Sequence, residues 1–260
     1  MSSALSYQRV REHLEILKME AALVALDGIL EQGQKQELTA VEVLDALLER
    51  ERRYRFERRV ATNLRLSGLI TSKTLADFDF AAQPQLAKAQ IDELATLRFL
   101  HQGENVLFLG PPGAGKSHLA LGLALKAIEQ GHRVYFLTLH DLVSRSQAAR
   151  QKNRLDGYLQ ALTRPALLVL DEVGYVPLER VDATFLFEVV SKRYEAHKSI
   201  ILTSNKSYGT WDEIFPDAVL ATALLDRLLH HSTTINIRGE SYRLHHRRQA
   251  GFFPENPEKK

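Results

Sequence analysis

The segment Gly110-Pro111-Pro112-Gly113-Ala114-Gly115-Lys116-Ser117 constrains this chain more than any other. It fits G-x-x-x-x-G-K-[ST], between an apolar run, Val106–Leu109, and a helical stretch that begins at Ser117 and runs past Ile128. A strand that feeds such a turn into a helix points successive backbone amides at phosphate oxygens, and the positive end of the helix dipole adds to the attraction. On this pattern Gly110, Pro111, Pro112, Gly113, Ala114, Gly115, Lys116, Ser117 and the adjoining His118 form a nucleotide-binding set. ATP is the expected nucleotide, with Lys116 reaching its β- and γ-phosphates and the Ser117 hydroxyl ligating Mg2+. His118 is read as packing beside the loop rather than as a catalyst.

The surrounding texture agrees. From Asn105 onward, short apolar runs at Val106–Leu109, Val134–Leu137, Ala166–Leu170, Ser199–Thr203 and Thr233–Ile237 alternate with amphipathic stretches such as His118–Gln130 and Asp182–His197. Strand–helix alternation of this kind predicts an α/β fold, with a parallel five-stranded sheet flanked by helices. Before Gly68 the pattern is helical. Leu14, Leu17, Ala21 and Val24 recur at helical spacing, and Gly33 interrupts. Thr39-Ala-Val-Glu42 then reads as a capping box opening a long helix through Leu44, Leu47 and Leu48 to about Leu66, with Gly68 as its stop. The expected organisation is a small all-helical domain at 1–66, a connector at 67–104, the ATPase domain at 105–250 and a flexible tail at 251–260.

Leu167-Leu-Val-Leu170-Asp171-Glu172 is an apolar strand ending in two carboxylates. Behind a phosphate loop, Asp171 is placed to hold the magnesium and Glu172 to polarise the attacking water, which points to hydrolysis rather than binding alone. The strand at Ile200 ends in Asn205 on the same sheet edge. Two roles are open for Asn205: orienting the lytic water, or simply starting a turn.

These residues resemble the AAA+ ATPases, and within them the clade of DnaC-like helicase loaders and transposition helpers. Gly110–Ser117 resembles Walker A, Leu167–Glu172 Walker B, and Thr203-Ser-Asn205 sensor 1. Leu225-Asp226-Arg227-Leu228 resembles the arginine-finger segment. The resemblance implies that Arg227 serves a neighbouring subunit's site, so that the protein is a homo-oligomer; from the residues alone Arg227 is a helix arginine paired with a surface acid. Gly174-Tyr-Val-Pro-Leu178, Arg193-Tyr-Glu195, Trp211 to Phe215, Leu225–His231 and Gly239-Glu-Ser-Tyr-Arg243 are similar to the IstB-like helpers of bacterial insertion sequences, as are Leu17-Lys-Met19 and Lys73–Phe80. That resemblance implies ATP-dependent assembly on duplex target DNA and delivery of the DNA to a cognate transposase. A DnaC-like replicative helicase loader is the alternative. About twenty residues follow the last strand, too few for a helical lid when helices average roughly 11–12 residues. The lid is therefore expected to be reduced or absent, with Arg243 a candidate for its sensor.

Net charge is only +2, so nucleic-acid binding must come from local clusters. The stretch Asp141–Arg164 is longer than one crossover needs and carries Arg145, Arg150, Lys152 and Arg154. By resemblance to initiators and loaders, Lys152 and Arg154 lead as DNA contacts, made to phosphates and largely indifferent to sequence. A second arginine-rich run, Arg50 to Arg65, is interleaved with Glu49, Glu51 and Glu57; it suits a solvated face, a phosphate surface or a protein partner. His245-His-Arg-Arg248 is a third basic patch. The chain has no cysteine, which excludes disulfides and thiolate metal sites. It shows neither a signal-peptide pattern nor a membrane-spanning stretch, and a cytoplasmic protein is expected.

Overall fold

A computed structural model describes residues 2–69 and 73–238; the segment with Arg243, the 245–248 patch, the 251–260 tail and the question of a lid lie outside the described residues. The chain divides into two compact units, Met1–Thr62 and Asn63–Lys260. Among the described residues no helix is long and apolar enough to cross a membrane.

The first unit holds α1 (Ser2–Ile16), α2 (Glu20–Lys35) and most of α3 (Ala40–Leu66). The expected single stripe of Leu14, Leu17, Ala21 and Val24 does not form. Lys18 adopts a left-handed conformation (φ 54°) that separates α1 from α2, so the phase of the pattern is lost between them. The core is instead Leu14, Ala22, Leu26 and Leu47, while Leu17 and Val24 are exposed. Gly33 does not interrupt either: it lies inside α2, where a Cβ would come within 2.8 Å of the Val43 side chain. It is a close-approach position between two helices. The capping box is present, with the Thr39 amide donating to Glu42 Oε2 at 2.7 Å and the Glu42 amide to Thr39 Oγ1 at 3.3 Å.

Part of the arginine run is consumed within this unit. Arg52 pairs with Glu49 and Arg58 with Glu20, both exposed. Arg55 pairs with Glu51 at 2.7 Å and also donates to the carbonyls of Leu17 and Lys18. Glu51 is buried, and its other oxygen accepts from the amides of Ala21 and Ala22, so a side chain of α3 caps the start of α2.

The second unit runs α4 (Lys88–Ala95), α5 (Arg98–Gln102), β1 (Asn105–Leu109), α6 (Lys116–Glu129), β2 (Val134–Thr138), α7 (Leu139–Gln151), α8 (Leu155–Thr163), β3 (Leu167–Val173), α9 (Arg180–Glu195), β4 (Ser199–Ser204), a 3-10 turn (Tyr208–Glu213), α10 (Ala218–Leu229) and β5 (Ser232–Asn236). The strands form the expected parallel sheet in the order β2-β3-β4-β1-β5. Inner strands β1 and β4 are buried along their whole length, whereas edge strand β5 reads Ser-Thr-Thr-Ile-Asn and is only half-buried. Polar residues gather where one side of the ladder meets solvent. Because β1 lies between β4 and β5, the loop after it emerges beside the end of β4, at the edge where ligands of such sheets bind.

Burial alone would raise the Glu51 carboxyl, but the Arg55 bond and the amides of Ala22 and Ala21 outweigh it and hold the group below the usual glutamate range. A carboxyl held low in the folded state contributes stability above its ordinary value of 4.5 that is lost as pH falls through the depressed value. Glu51→Gln should therefore speed amide hydrogen exchange at Ala21 and Ala22 at neutral pH, by an opening cost of about 1–2 kcal/mol. Acidification through the depressed value should lower the protection factors of these amides, measured against their intrinsic exchange rates at each pH, in the native chain and much less in the variant.

Candidate nucleotide-binding site

The loop after β1 is pinned from both sides. The Gly110 amide donates to the Ser204 carbonyl of β4 at 3.2 Å, and the Ile237 amide, just past β5, to the Leu109 carbonyl at 2.7 Å. Gly115 sits at φ 95°, and a Cβ there would fall 2.6 Å from the ring of Phe78. A side chain at this position would be both strained and blocked. Lys116, the first residue of α6, is buried, and its Nζ donates to the carbonyls of Gly110 (2.7 Å) and Pro111 (2.8 Å).

One hydrogen-bonded node joins three elements. Ser117 Oγ donates to Asp171 Oδ1 at 2.8 Å, and Thr203 Oγ1 donates to the same oxygen. Thr203 Oγ1 in turn accepts from the Glu172 amide at 3.0 Å. The pairing of β3 with β4 explains this geometry. Leu170 faces Leu202 and Val173 faces Ser204, so Asp171 and Glu172 together oppose Thr203 alone. This is a β-bulge, and it re-aims a side chain. Asp171 stays buried in the node while Glu172, at φ 62°, is exposed. A left-handed backbone at a residue with a Cβ costs about 1–2 kcal/mol.

Glu172 lines a cavity of 260 Å3 together with Gly113, Ala114, Gly115, Lys116, Ser117 and His118. The opposite wall is made by Lys73, Asp77, Phe78, Asp79 and Gln83. These residues belong to the stretch expected to be a mere connector, and residue-level reasoning missed them. Their signal was local: Thr74-x-x-Asp77 is a cap-like pattern, and the Thr74 amide and hydroxyl both donate to Asp77 Oδ2. Those bonds hold the Asp77 carboxyl below the usual aspartate range. His118 Nε2 lies 2.8 Å from the Thr74 carbonyl oxygen, and its ring meets Phe78 edge-on at 5.3 Å. In this geometry His118 ties the wall to α6.

Asn205 and Arg227 do not line the cavity. Asn205 follows β4, and its Oδ1 is buried without a hydrogen-bond partner among the described residues, close to Gly174. Arg227 of α10 is half-buried; it donates to the Ala223 carbonyl at 3.1 Å, and its guanidinium lies 4.6 Å from the centre of the Phe187 ring. Its neighbour is thus an aromatic face rather than an acid.

The stretch Asp141–Arg164 resolves into α7 and α8. Arg145, Lys152 and Arg154 are exposed and line one open groove of 540 Å3 with Gly157 and Tyr158. Arg145 also donates to the Tyr135 hydroxyl at 2.8 Å. Arg150 is separated from them and lines another groove with Arg180 and Glu188. Lys152, the residue that follows α7, lies two turns beyond Arg145 and in phase with it, whereas Arg150 is out of phase with both.

Comparisons with known proteins agree with this geometry. A family model described as IstB-like ATP binding protein matches residues 12–250. A putative ATP-binding protein of insertion sequence IS21 from Pseudomonas aeruginosa is 47% identical over 243 residues, covering 94% of this chain and 91% of that protein. Among solved structures, the replication initiator DnaA bound to AMPPCP and single-stranded DNA superposes with a TM-score of 0.58 at 19% identity, covering 74% of this chain and 59% of that one. The DnaC helicase loader superposes with a TM-score of 0.51 at 22% identity, covering 57% and 86%. The fold of the second unit is that of an AAA+ P-loop domain.

Thr203→Val keeps the shape of the side chain but leaves a buried carboxylate oxygen and the Glu172 amide each short of a partner. It should lower stability by about 1–3 kcal/mol in a urea titration, whereas Thr203→Ser should stay near the native value.

Proposed function

The chain belongs to the IstB-like ATP-binding protein family, and on that premise we propose that it is a DNA-binding helper ATPase of an insertion-sequence transposition system. The observation that carries the reading is the node of Ser117, Asp171, Thr203 and Glu172 at the mouth of the phosphate loop. ATP places its phosphates on the amides of Gly110–Ser117, and Lys116 exchanges its contacts with the Gly110 and Pro111 carbonyls for phosphate oxygens. The Lys73–Gln83 wall receives the nucleoside end.

Ser117 and the buried Asp171 offer two hard oxygen donors side by side, the donor chemistry that Mg2+ takes. These two would hold the ion, which when bound supplies neutralising charge to the phosphates. Glu172, lifted out of the ladder by the bulge, is the carboxylate free to take a proton from water. Asn205 orients that water through the amide whose oxygen has no partner among the described residues, and Arg227 acts on a neighbouring subunit's site, so the working form is a homo-oligomer.

Duplex DNA is held through Arg145, Lys152 and Arg154, with Arg150 set apart from that surface, and the loaded complex serves the cognate transposase. Family membership favours this over a helicase loader, since the likeness to DnaC is one of fold.

Glu172→Gln should leave ATP binding within a few-fold and cut phosphate release by at least about 100-fold; unchanged turnover would remove Glu172 from the mechanism. For the DNA surface, Lys152→Ala with Arg154→Ala should weaken duplex binding evenly across sequences and reduce the log–log salt slope by about 2. ATP-dependent assemblies that form on single strands and not on duplex would transfer the reading to the helicase loader.

A further inference from the structure

Glu172 and Tyr175 are shared by two cavities: the nucleotide cavity, and a second one of 330 Å3 on the other side of the bulge. The walls of the second cavity are apolar, from Leu139 and Val143 of α7 and Val176, Pro177 and Leu178 of the segment leading to α9. Three carboxylates line it: Glu172 and Glu179 are exposed and Asp182 is 1% exposed. The exposed His140 imidazole lies at its rim, and among the described residues no Lys or Arg lines it. Asp182 accepts from Gln147 Nε2 at 3.0 Å and more distantly from Ser146 Oγ, both neutral donors. The first turn of α9, in which Asp182 sits, lends it partial positive charge, but among the described residues no lysine or arginine pairs with the carboxylates of this cavity.

We propose that this cavity docks a lysine or arginine side chain carried on an otherwise apolar segment of a protein partner. On the function proposed above, that partner is the transposase. The fit is chemical. An apolar wall takes the methylene stem of a long basic side chain while the carboxylates take its head. The volume lies at the small end of the roughly 300–1,000 Å3 of ligand pockets, which suits one anchoring side chain and not a folded domain. Three carboxylates repel phosphate, so the cavity is closed to DNA and stands apart from the basic groove of Arg145, Lys152 and Arg154. An anchor seated here lies against Glu172 from the face opposite the nucleotide, so docking and hydrolysis meet at one carboxylate.

The test uses the full chain and overlapping peptides tiling the transposase encoded with it, with binding read by fluorescence anisotropy. The expected result is that bound peptides share a Lys or Arg between apolar residues, and that changing this residue to Ala abolishes binding. Glu179→Gln and Val143→Phe should each weaken binding by about tenfold or more while a fluorescent ATP analogue binds as before. Binding that neither substitution alters, or that prefers peptides without a cation, overturns the proposal, as does the absence of any binding tile. Self-association weakened by Glu179→Gln, with no tile bound, would assign the cavity to a second copy of the chain and also overturn it. Loss of phosphate release by the native chain, with tile binding intact, would instead count against the ATPase reading alone.

Discussion

A carboxylate taken out of water must be given hydrogen bonds, and the way Asp171 receives them sets the shape of the site. Its donors come from elements far apart in sequence, Ser117 at the head of α6 and Thr203 near the end of β4. The requirement therefore fixes a helix and two strands relative to one another within the tolerance of a hydrogen bond. Regular alternation along β3 would send the next side chain to the opposite face of the sheet, away from the loop. The bulge prevents this, and Thr203 makes it tolerable by taking the amide that the broken ladder leaves behind. One threonine hydroxyl thus serves as donor to one carboxylate and as acceptor for the backbone of the next.

A second buried charge works at the other end of the same strands. Arg193 of α9 is fully buried and has no carboxylate partner among the described residues. Its guanidinium donates to the carbonyls of Leu162 and Pro165, at the end of α8, and of Ala166 and Ser199, where β3 and β4 begin. Burial pulls its pKa down to about 9, which still leaves it charged at neutral pH. The fork spans several carbonyls at once, which a lysine could not do, and it rests near the negative end of a helix. Strands β3 and β4 are accordingly held by an anion at their functional end and a cation at their far end.

Much of the chain is legible in its sequence because the signals are local. The phosphate loop, the apolar strands and the Thr39–Glu42 box each depend on residues a few positions apart. What escaped depends on tertiary approach. Lys18 carries no mark of the left-handed backbone that splits α1 from α2, and Gly33 reads as a breaker until Val43 is seen against it. Residues Lys73 to Gln83 look like a linker because their packing partners, Gly115 and His118, lie some forty residues away. Arg150 was grouped with Arg145, Lys152 and Arg154 by proximity in sequence, and helical phase separates them.

The left-handed backbone at Glu172 carries a consequence for descent. Glycine or asparagine would occupy that conformation with less strain, so folding on its own favours losing the glutamate. On the role proposed for Glu172 in hydrolysis, a need for turnover is what retains it. In copies of the gene released from that need, this position should be among the first to drift, yielding proteins that fold at least as well and still carry an intact phosphate loop. A laboratory library screened for heat resistance alone would follow the same path, and on the proposed mechanism its best survivors would be the poorest catalysts.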